Sequence, residues 1–558
     1  MGTIADQRVG RGARSPSTSV PVIFRIPRVR IGRPALLWWG WAAALFLLYA
    51  TVSARRQALV RTTGYDLGIF EQAVRAYARL RAPVVPLRGD GFNLLGDHFH
   101  PVLAVLAPLY RAFPSPYTLL VAQAALLALA VVPLARQAAR VLGRRAAHVV
   151  ACGYGLSWGI ASAVGFDFHE VCFAVPLVSY ALEALARRSW RRAIAWAVPL
   201  LLVKEDLGLT LAAIGAYVAW RGPRRLGIAA AVLGLVGSAL EFKVLMPYFN
   251  PAGTYAHAAN LAPGHHSLLT TLALAPLDAV RPEVKATTLV LVFAPAALIA
   301  LRSPLALIAV PTLGWRMLST NAFHWGTAFH YTAVLMPVVF AALIDALRPY
   351  AAADDPLARR HVRASLATVA AVTLILVPSF PLAQIAHRST WRTTPHVTAV
   401  RELLSRIPDG ATVAASNRLV PQLTSRTTVA LFPTFPVHWT LYSTDGPIPP
   451  PTAQWIAYDR VPPESWPYPP GPWPYPAPRQ EQEYATTLAR YGYVRVAEAD
   501  GVSLLRRKGR REIGGRGGTR GASALVHGTA PDGHTVLSRL GQWGEAHPER
   551  ISALRTSP

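Results

Sequence analysis

From residue 34 onward the chain alternates between apolar runs of near-bilayer length and short polar, arginine-rich breaks. The hydrocarbon core of a bilayer takes about 20 residues of helix. Runs of that character occupy 34–52, 116–135, 146–165, 171–186, 226–246, 286–301, 303–314, 330–347 and 364–382. A further apolar stretch, 193–220, is interrupted by Lys204-Glu205-Asp206. Arginine placement decides how to read it. Basic clusters at 136–145, 187–192, 221–225 and 348–363 lie between the runs, and short basic loops stay cytoplasmic. All four share one side only if 193–220 is a hairpin of two short helices. The hairpin brings the total to about 11 transmembrane segments. Arg25, Arg28, Arg30 and Arg33 beside the first run favour a cytoplasmic N-terminus. That run has the composition of a signal-peptide core, yet its long arginine-rich leader and the many spans after it favour an uncleaved anchor.

The expected organisation is a basic cytoplasmic tail (1–33), a transmembrane domain (34–382) with a long first outer loop (53–115), an extracytoplasmic domain (385–508) and a disordered basic tail (509–558). The first outer loop has internal pattern. Residues 65–80 place Ile69, Phe70, Ala73, Val74, Tyr77 and Leu80 at helical spacing with arginines opposite, which predicts an amphipathic helix at the membrane surface. Residues 98–113 form a second, shorter apolar segment. A later outer loop, 247–285, carries Tyr255, His257, His265 and His266. Beyond residue 385 the pattern predicts helices at 396–407, 418–425 and 481–491. Strands are predicted at 411–415, 428–432, 455–458, 493–499 and 502–505, the last two joined by a turn at Asp500-Gly501. This is a small α/β domain. The Pro/Trp/Tyr-rich stretch 433–479, with Trp466 and Trp473, reads as a rigid linker or a polymer-stacking surface.

Composition narrows the class. Of 558 residues, 52% are hydrophobic and only 15% charged, with a mean hydropathy of +0.29. A soluble protein carries about a quarter charged residues, so an ordinary cytosolic enzyme and a mainly disordered chain are both excluded. The net charge of +27 comes from 56 basic residues, only four of them lysines. Loop arginines that set orientation account for it, and no nucleic-acid partner is expected. Cys152 and Cys172 offer neither metal spacing nor a disulfide framework.

Ionisable groups at membrane depth cost roughly 2.5–3.5 kcal/mol each at a helix centre, so clusters of them need a reason. Asp66, in Gly64-Tyr65-Asp66-Leu67-Gly68, precedes the periodic run. It is either a helix N-cap or a general base at the outer face, assisted by Glu71 or Gln72. Gly96-Asp97-His98-Phe99-His100 and Asp167-Phe168-His169-Glu170 gather imidazoles and carboxylates on loops expected to face the same side. They supply acid/base pairs or metal ligands, or simply pack. Lys204-Glu205-Asp206 is a self-neutralising turn or the polar wall of a cavity whose lysine meets an anion. Trp315-Arg316, His324 and Phe329-His330-Tyr331 can add a cation and proton donors from a later loop, or pack within it.

Several of these strings also carry a resemblance. Tyr65 through Gln72, His98-Phe99-His100-Pro101 with Pro108-Leu109-Tyr110, Phe168-His169, Lys204-Glu205-Asp206 and Phe329-His330-Tyr331 resemble the bacterial multi-pass membrane family catalogued as domain of unknown function 2079. Ile407-Pro408 and Ala414-Ala415-Ser416 extend the likeness, which covers roughly 35–508. The architecture is similar in turn to the C-type-fold (GT-C) membrane glycosyltransferases, with their long first outer loop, an acidic base within it and a soluble C-terminal domain. A paired-acid motif typical of some such enzymes is absent. The resemblance implies a polyprenyl-phosphate-linked sugar donor, an envelope glycan or protein acceptor, and Asp66 as the catalytic residue.

The expected function is inverting glycosyl transfer at the outer face of the plasma membrane. Asp66 deprotonates an acceptor hydroxyl, while Lys204 and Arg316 offset charge on the departing lipid phosphate. His98, His100 and His169 line the sugar pocket. Glu71, Gln72, Asp97, Asp167, Glu170, Glu205, Asp206 and His330 complete the substrate-binding set. A lipid phosphate is its own leaving group, so no cofactor is required, although the Asp-His-x-His string leaves a divalent metal open. The alternatives are a transporter or lipid flippase whose buried ions mark a pathway, and a non-catalytic envelope-assembly protein.

Overall fold

Every apolar stretch is helical in the computed structural model, which describes residues 33–255, 257, 274–434, 448, 450–461 and 477–508. The N-terminal tail, His265 and His266, most of 433–479 and the tail from 509 lie outside the described residues. Among the described residues six helices are long and apolar enough to cross a membrane: Leu36–Ala58, Pro116–Val141, Arg144–Gly165, Arg224–Phe249, His330–Ala352 and Pro356–Ser379. The other five expected segments are shorter or broken. Val171–Ala186 and Leu207–Arg221 fall below spanning length. Helix Trp190–Ala197 continues as the 3₁₀ turn Val198–Leu202, which holds Pro199. Helix Glu283–Phe293 gives way at Pro295 and is interrupted by Ala297 and Leu298, both left-handed, while Pro304 opens another 3₁₀ run. Proline lacks the amide proton that would continue an α-helix. Composition alone therefore does not show where a segment shortens or breaks.

The expected hairpin is present. The chain enters at Trp190, reverses at 203–206 and returns along Leu207–Arg221, so that Gly222 packs against the Trp190 indole. The arginine clusters meet at this end. Arg136 and Arg140 pair with Glu183 at 2.5 and 2.9 Å, Arg348 donates to the Ala186 carbonyl, and Arg302 donates to the Tyr350 hydroxyl. The opposite ends of the helices, near residues 165–170 and 203–206, carry the conspicuous polar strings.

Helix His330–Ala352 is almost wholly buried and forms the centre of the bundle, with Phe340 against Tyr154. The return helix Leu207–Arg221 and helix Arg224–Leu240 touch backbone to backbone. A Cβ at Gly227 would lie 2.1 Å from the Ala219 nitrogen, and one at Gly215 would lie 2.5 Å from the Ala231 nitrogen. Small residues allow the close approach that drives association where water does not.

After the bundle, strands β1 (Thr412–Ala415), β2 (Thr428–Leu431), β3 (Trp455–Asp459), β4 (Tyr493–Ala499) and β5 (Val502–Arg507) form one mixed sheet of order β2-β1-β3-β5-β4. β1 runs parallel to β2 and β3, while β5 is antiparallel to β3 and β4. The β4–β5 turn has positive φ at both Asp500 and Gly501, as a two-residue hairpin requires. Residues 418–425, expected as a short helix, contain only the 3₁₀ turn Val420–Gln422.

The sheet region rests on the first loop and corrects one expectation there. Helix Ile69–Ala78 is not an open amphipathic helix on a membrane surface. Arg75 donates to the Thr424 and Thr427 carbonyls, the Gln72 amide donates to the Val429 carbonyl, and Gln57 and Pro421 are joined at 3.1 Å. The polar face is thus covered by the C-terminal region, and Glu71 and Gln72 are buried.

Candidate active site

The Gly64–Gly68 segment leading into this helix is held from both sides. From the bundle, Asp167 accepts the Thr63 amide at 2.8 Å and the Thr63 hydroxyl at 2.7 Å. From the sheet region, Asn417 accepts the Gly64 amide on its carbonyl at 2.7 Å and the Tyr65 amide on Oδ1 at 2.9 Å. Val420 lies directly over the loop, and a Cβ at Gly64 would fall 2.6 Å from the valine's own Cβ. The helix's N-cap is Gly68, with no capping side chain. Asp66 therefore does not act as the cap. Its Oδ2 lies 3.3 Å from His169 Nε2.

A cavity of about 310 Å³ opens beside this pair, at the end of the bundle opposite the arginine clusters. Ten of the fourteen expected site residues line it: Asp66, Asp97, His98, His100, His169, Glu170, Lys204, Glu205, Asp206 and His330. They come from the first loop, the loop before Val171–Ala186, the hairpin turn and the start of the central helix. Four do not line it. Glu71 accepts from the Tyr110 hydroxyl at 2.8 Å and from Thr424 Oγ1. Gln72 bridges Val429 and Leu87, and Asp167 anchors Thr63. Arg316 is fully buried; it donates to the His324 and Gly326 carbonyls and the Thr332 hydroxyl, which fixes the 324–332 loop. In each case a backbone or hydroxyl partner close by claims the polar group.

The cavity has two polar groupings. In the first, His169 stands between Asp66 and Glu170, at 3.3 and 3.6 Å, and Lys204 Nζ lies 2.9 Å from Glu170. Burial alone would lower the His169 imidazole, but Asp66 and Glu170 raise it to about 8. It is therefore largely protonated at neutral pH. The His330 ring stacks on it with centroids 3.4 Å apart, and neither His330 ring nitrogen has a hydrogen-bond partner among the described residues. In the second grouping, His98 Nδ1 lies 2.6 Å from Glu205, and Asp97 pairs with Arg88 at 2.7 Å and with His257 at 3.1 Å. Burial disfavours the Asp97 carboxylate, yet Arg88 and His257 hold it well below the usual range. Burial likewise disfavours the charged His98 ring, and Glu205 more than offsets this. Asp206 accepts from the Trp315 indole at 2.9 Å.

Tyr65, Phe70, Phe166, Trp315, Phe329 and Tyr331 supply aromatic wall. Chemically, the cavity offers a carboxylate beside an imidazolium, further carboxylates, a buried ammonium and stacking surfaces. Sequence reasoning missed Arg88, which donates to the Tyr65 hydroxyl at 2.7 Å as well as to Asp97; no local pattern marks it. It also missed Asn417. Its position just past the end of a buried parallel strand is the signal that was available, since ligands and partners gather at such carboxyl ends.

Solved structures similar to the chain include ArnT from Cupriavidus metallidurans bound to undecaprenyl phosphate, at 14% identity and a TM-score of 0.48, covering 84% of this chain and 98% of that one. The same protein in the apo state matches at 14% identity and a TM-score of 0.47, covering 85% and 98%. No curated protein sequence matches. Residues 56–504 match the family described as Predicted membrane protein (DUF2079), and the chain belongs to that family.

Proposed function

We propose that the protein is a membrane-embedded glycosyltransferase. It takes a sugar from a polyprenyl-phosphate-linked donor and passes it, with inversion, to a hydroxyl of an envelope glycan or protein at the outer face of the plasma membrane. The observation that carries this reading is the Asp66–His169 contact, 3.3 Å long, at the wall of a cavity shared with Lys204 and Glu170. The acceptor oxygen forms a bond to the anomeric carbon as the bond to the phosphate oxygen breaks, and Asp66 takes the acceptor proton. Protonated His169 pairs with the Asp66 carboxylate and holds it in place at the cavity wall. Lys204 offsets charge on the departing phosphate, a task that Arg316 does not share because carbonyls occupy its guanidinium. The aromatic wall stacks on the sugar.

The test is turnover by the purified chain with a polyprenyl-phosphate sugar. Asp66→Asn keeps the carboxylate's shape and removes its basicity. The expected result is an unchanged melting temperature and a rate lower by roughly 10²–10⁴-fold, the usual worth of a general base. Normal turnover in that variant overturns Asp66 as the base.

A further inference from the structure

The cavity carries an imbalance of charge. Asp66, Asp97, Glu170, Glu205 and Asp206 line it against two permanent cations, Arg88 and Lys204, and one imidazolium, His169, shared between Asp66 and Glu170. Both cations are already engaged, Arg88 with Asp97 at 2.7 Å and Lys204 with Glu170 at 2.9 Å. A phosphorylated ligand adds negative charge to this partly dry space, and buried charge is costly unless matched. Some further positive charge is needed.

The second polar grouping holds a donor set that can bring it. One ligand atom from each of Asp97, His98 and His257 lies within 4.8 Å of the others. The two imidazole rings are parallel, 7° apart in plane and 4.5 Å between centroids. Glu205 Oε1 sits 2.6 Å from His98 Nδ1. A carboxylate there accepts a hydrogen bond from Nδ1–H and leaves Nε2 as the lone-pair nitrogen, the arrangement that orients metal-bound imidazoles. Among the described residues the contacts to Asp97 from Arg88 and His257 both fall on Oδ1, which leaves Oδ2 for a ligand. The plainer account is that Arg88 neutralises Asp97 and the histidines pack. It accounts for Glu205, which also accepts the Phe99 amide at 3.1 Å, but gives no role to a second imidazole brought from a distant loop onto the same acid.

We propose that Asp97, His98 and His257 bind one divalent cation, with Glu205 orienting His98, and that the cation receives a phosphate oxygen of the ligand. Two imidazoles and a carboxylate with a position left open match one of the ligand sets of catalytic zinc. The cation-binding part stands on the geometry of this grouping; the phosphate part rests on the glycosyl-transfer reading.

The experiment uses the full chain in detergent, purified without a histidine tag and stripped with a chelator, then titrated with Zn²⁺ alone by calorimetry. Co²⁺ substitution is read by visible absorption. The expected result is one equivalent bound and a cobalt band of four-coordinate intensity. Binding is lost in His98→Ala and His257→Ala, weakened about 10–100-fold in Glu205→Gln, and retained in Asp66→Asn. Absence of one-to-one binding, or binding unchanged by His257→Ala, overturns the proposal. Should the alanine variants fail to fold, the wild-type cobalt spectrum decides alone, and a six-coordinate spectrum also overturns it. Zinc binding without sugar transfer from any donor leaves the site standing and removes the enzyme reading. Undiminished transfer by chelated protein that binds no zinc does the reverse.

Discussion

Asn417 grips Tyr65 by its backbone, with Oδ1 accepting the Tyr65 amide at 2.9 Å while the Asn417 carbonyl accepts the Gly64 amide at 2.7 Å. Asp66 is the next residue along. A residue at the carboxyl end of β1, 352 positions away, thus fixes the backbone that presents the Asp66 carboxylate to His169. The sheet region buttresses the loop that forms one side of the cavity.

Asn417→Ala is expected to leave the buried Tyr65 amide without its acceptor. The cost is about 1–3 kcal/mol for an unpaired buried donor. Turnover should fall by more than stability does, because Asp66 loses its placement. Thermal unfolding and initial rates measured on one preparation check this, and unchanged turnover would show that Asp66 does not depend on the contact.

Glu71 predicts a pH dependence. Burial raises its carboxyl from 4.5 to about 7, against the hydrogen bonds from Thr424 and Tyr110. The folded protein therefore holds this proton more tightly than the unfolded chain does. The contribution is fully present below about pH 4.5 and is lost as pH rises through about 7. Melting temperature should fall across that window, and Glu71→Gln should flatten the slope. His169 also has a raised value and pushes stability the same way towards pH 8, so the difference between wild type and variant is the quantity to plot. Parallel curves would remove Glu71 as the titrating group.

Gly227 sits where two helix backbones touch, with Ala219 N 2.1 Å from the position of an added Cβ. Gly227→Leu should separate the hairpin's return helix from helix Arg224–Leu240. It should lower stability by several kcal/mol, beyond the roughly 1–3 kcal/mol usual for overpacking, because backbone rather than a rotatable side chain is displaced. Detergent-solubilised melting curves would show it, and a shift of under one degree would mean that the helices do not pack this way.

Orientation follows from the arginine-rich end. If short basic loops face the cytoplasm, the cavity and the sheet region face outward. An alkaline phosphatase fused after Thr390 should be active and a cytosolic reporter at the same point silent. The opposite pair of results reverses the topology.

Much of the fold was legible because its signals are local. The hairpin at 193–220 followed from arginines on both flanks and a charged triplet between. The five strands followed from short apolar runs and a two-residue turn at Asp500-Gly501. The five shorter or broken segments were harder, since hydropathy ignores prolines such as those at 199, 295 and 304. The site was legible in part. Asp66, His98, His169 and Lys204 were visible as polar groups that an apolar setting must excuse. Glu71 and Arg316 carried the same signal, and there the excuse is structural: Tyr110 and Thr424 for one, loop carbonyls for the other.

The amino-acid order by itself determined where helices and strands form, which end of the bundle gathers arginine, and that costly ionisable groups collect in a few strings. These properties depend on neighbours within a turn or two of helix, where periodicity and solvation act directly. Only the tertiary structure decided that Asp66 faces His169 instead of capping its own helix, that Arg88 belongs to the cavity wall while Asn417 holds the backbone beside it, and that Glu71 and Arg316 lie outside the wall. Those outcomes depend on groups brought together from positions 8 to 353 residues apart, and no local pattern records which distant partner satisfies a buried charge.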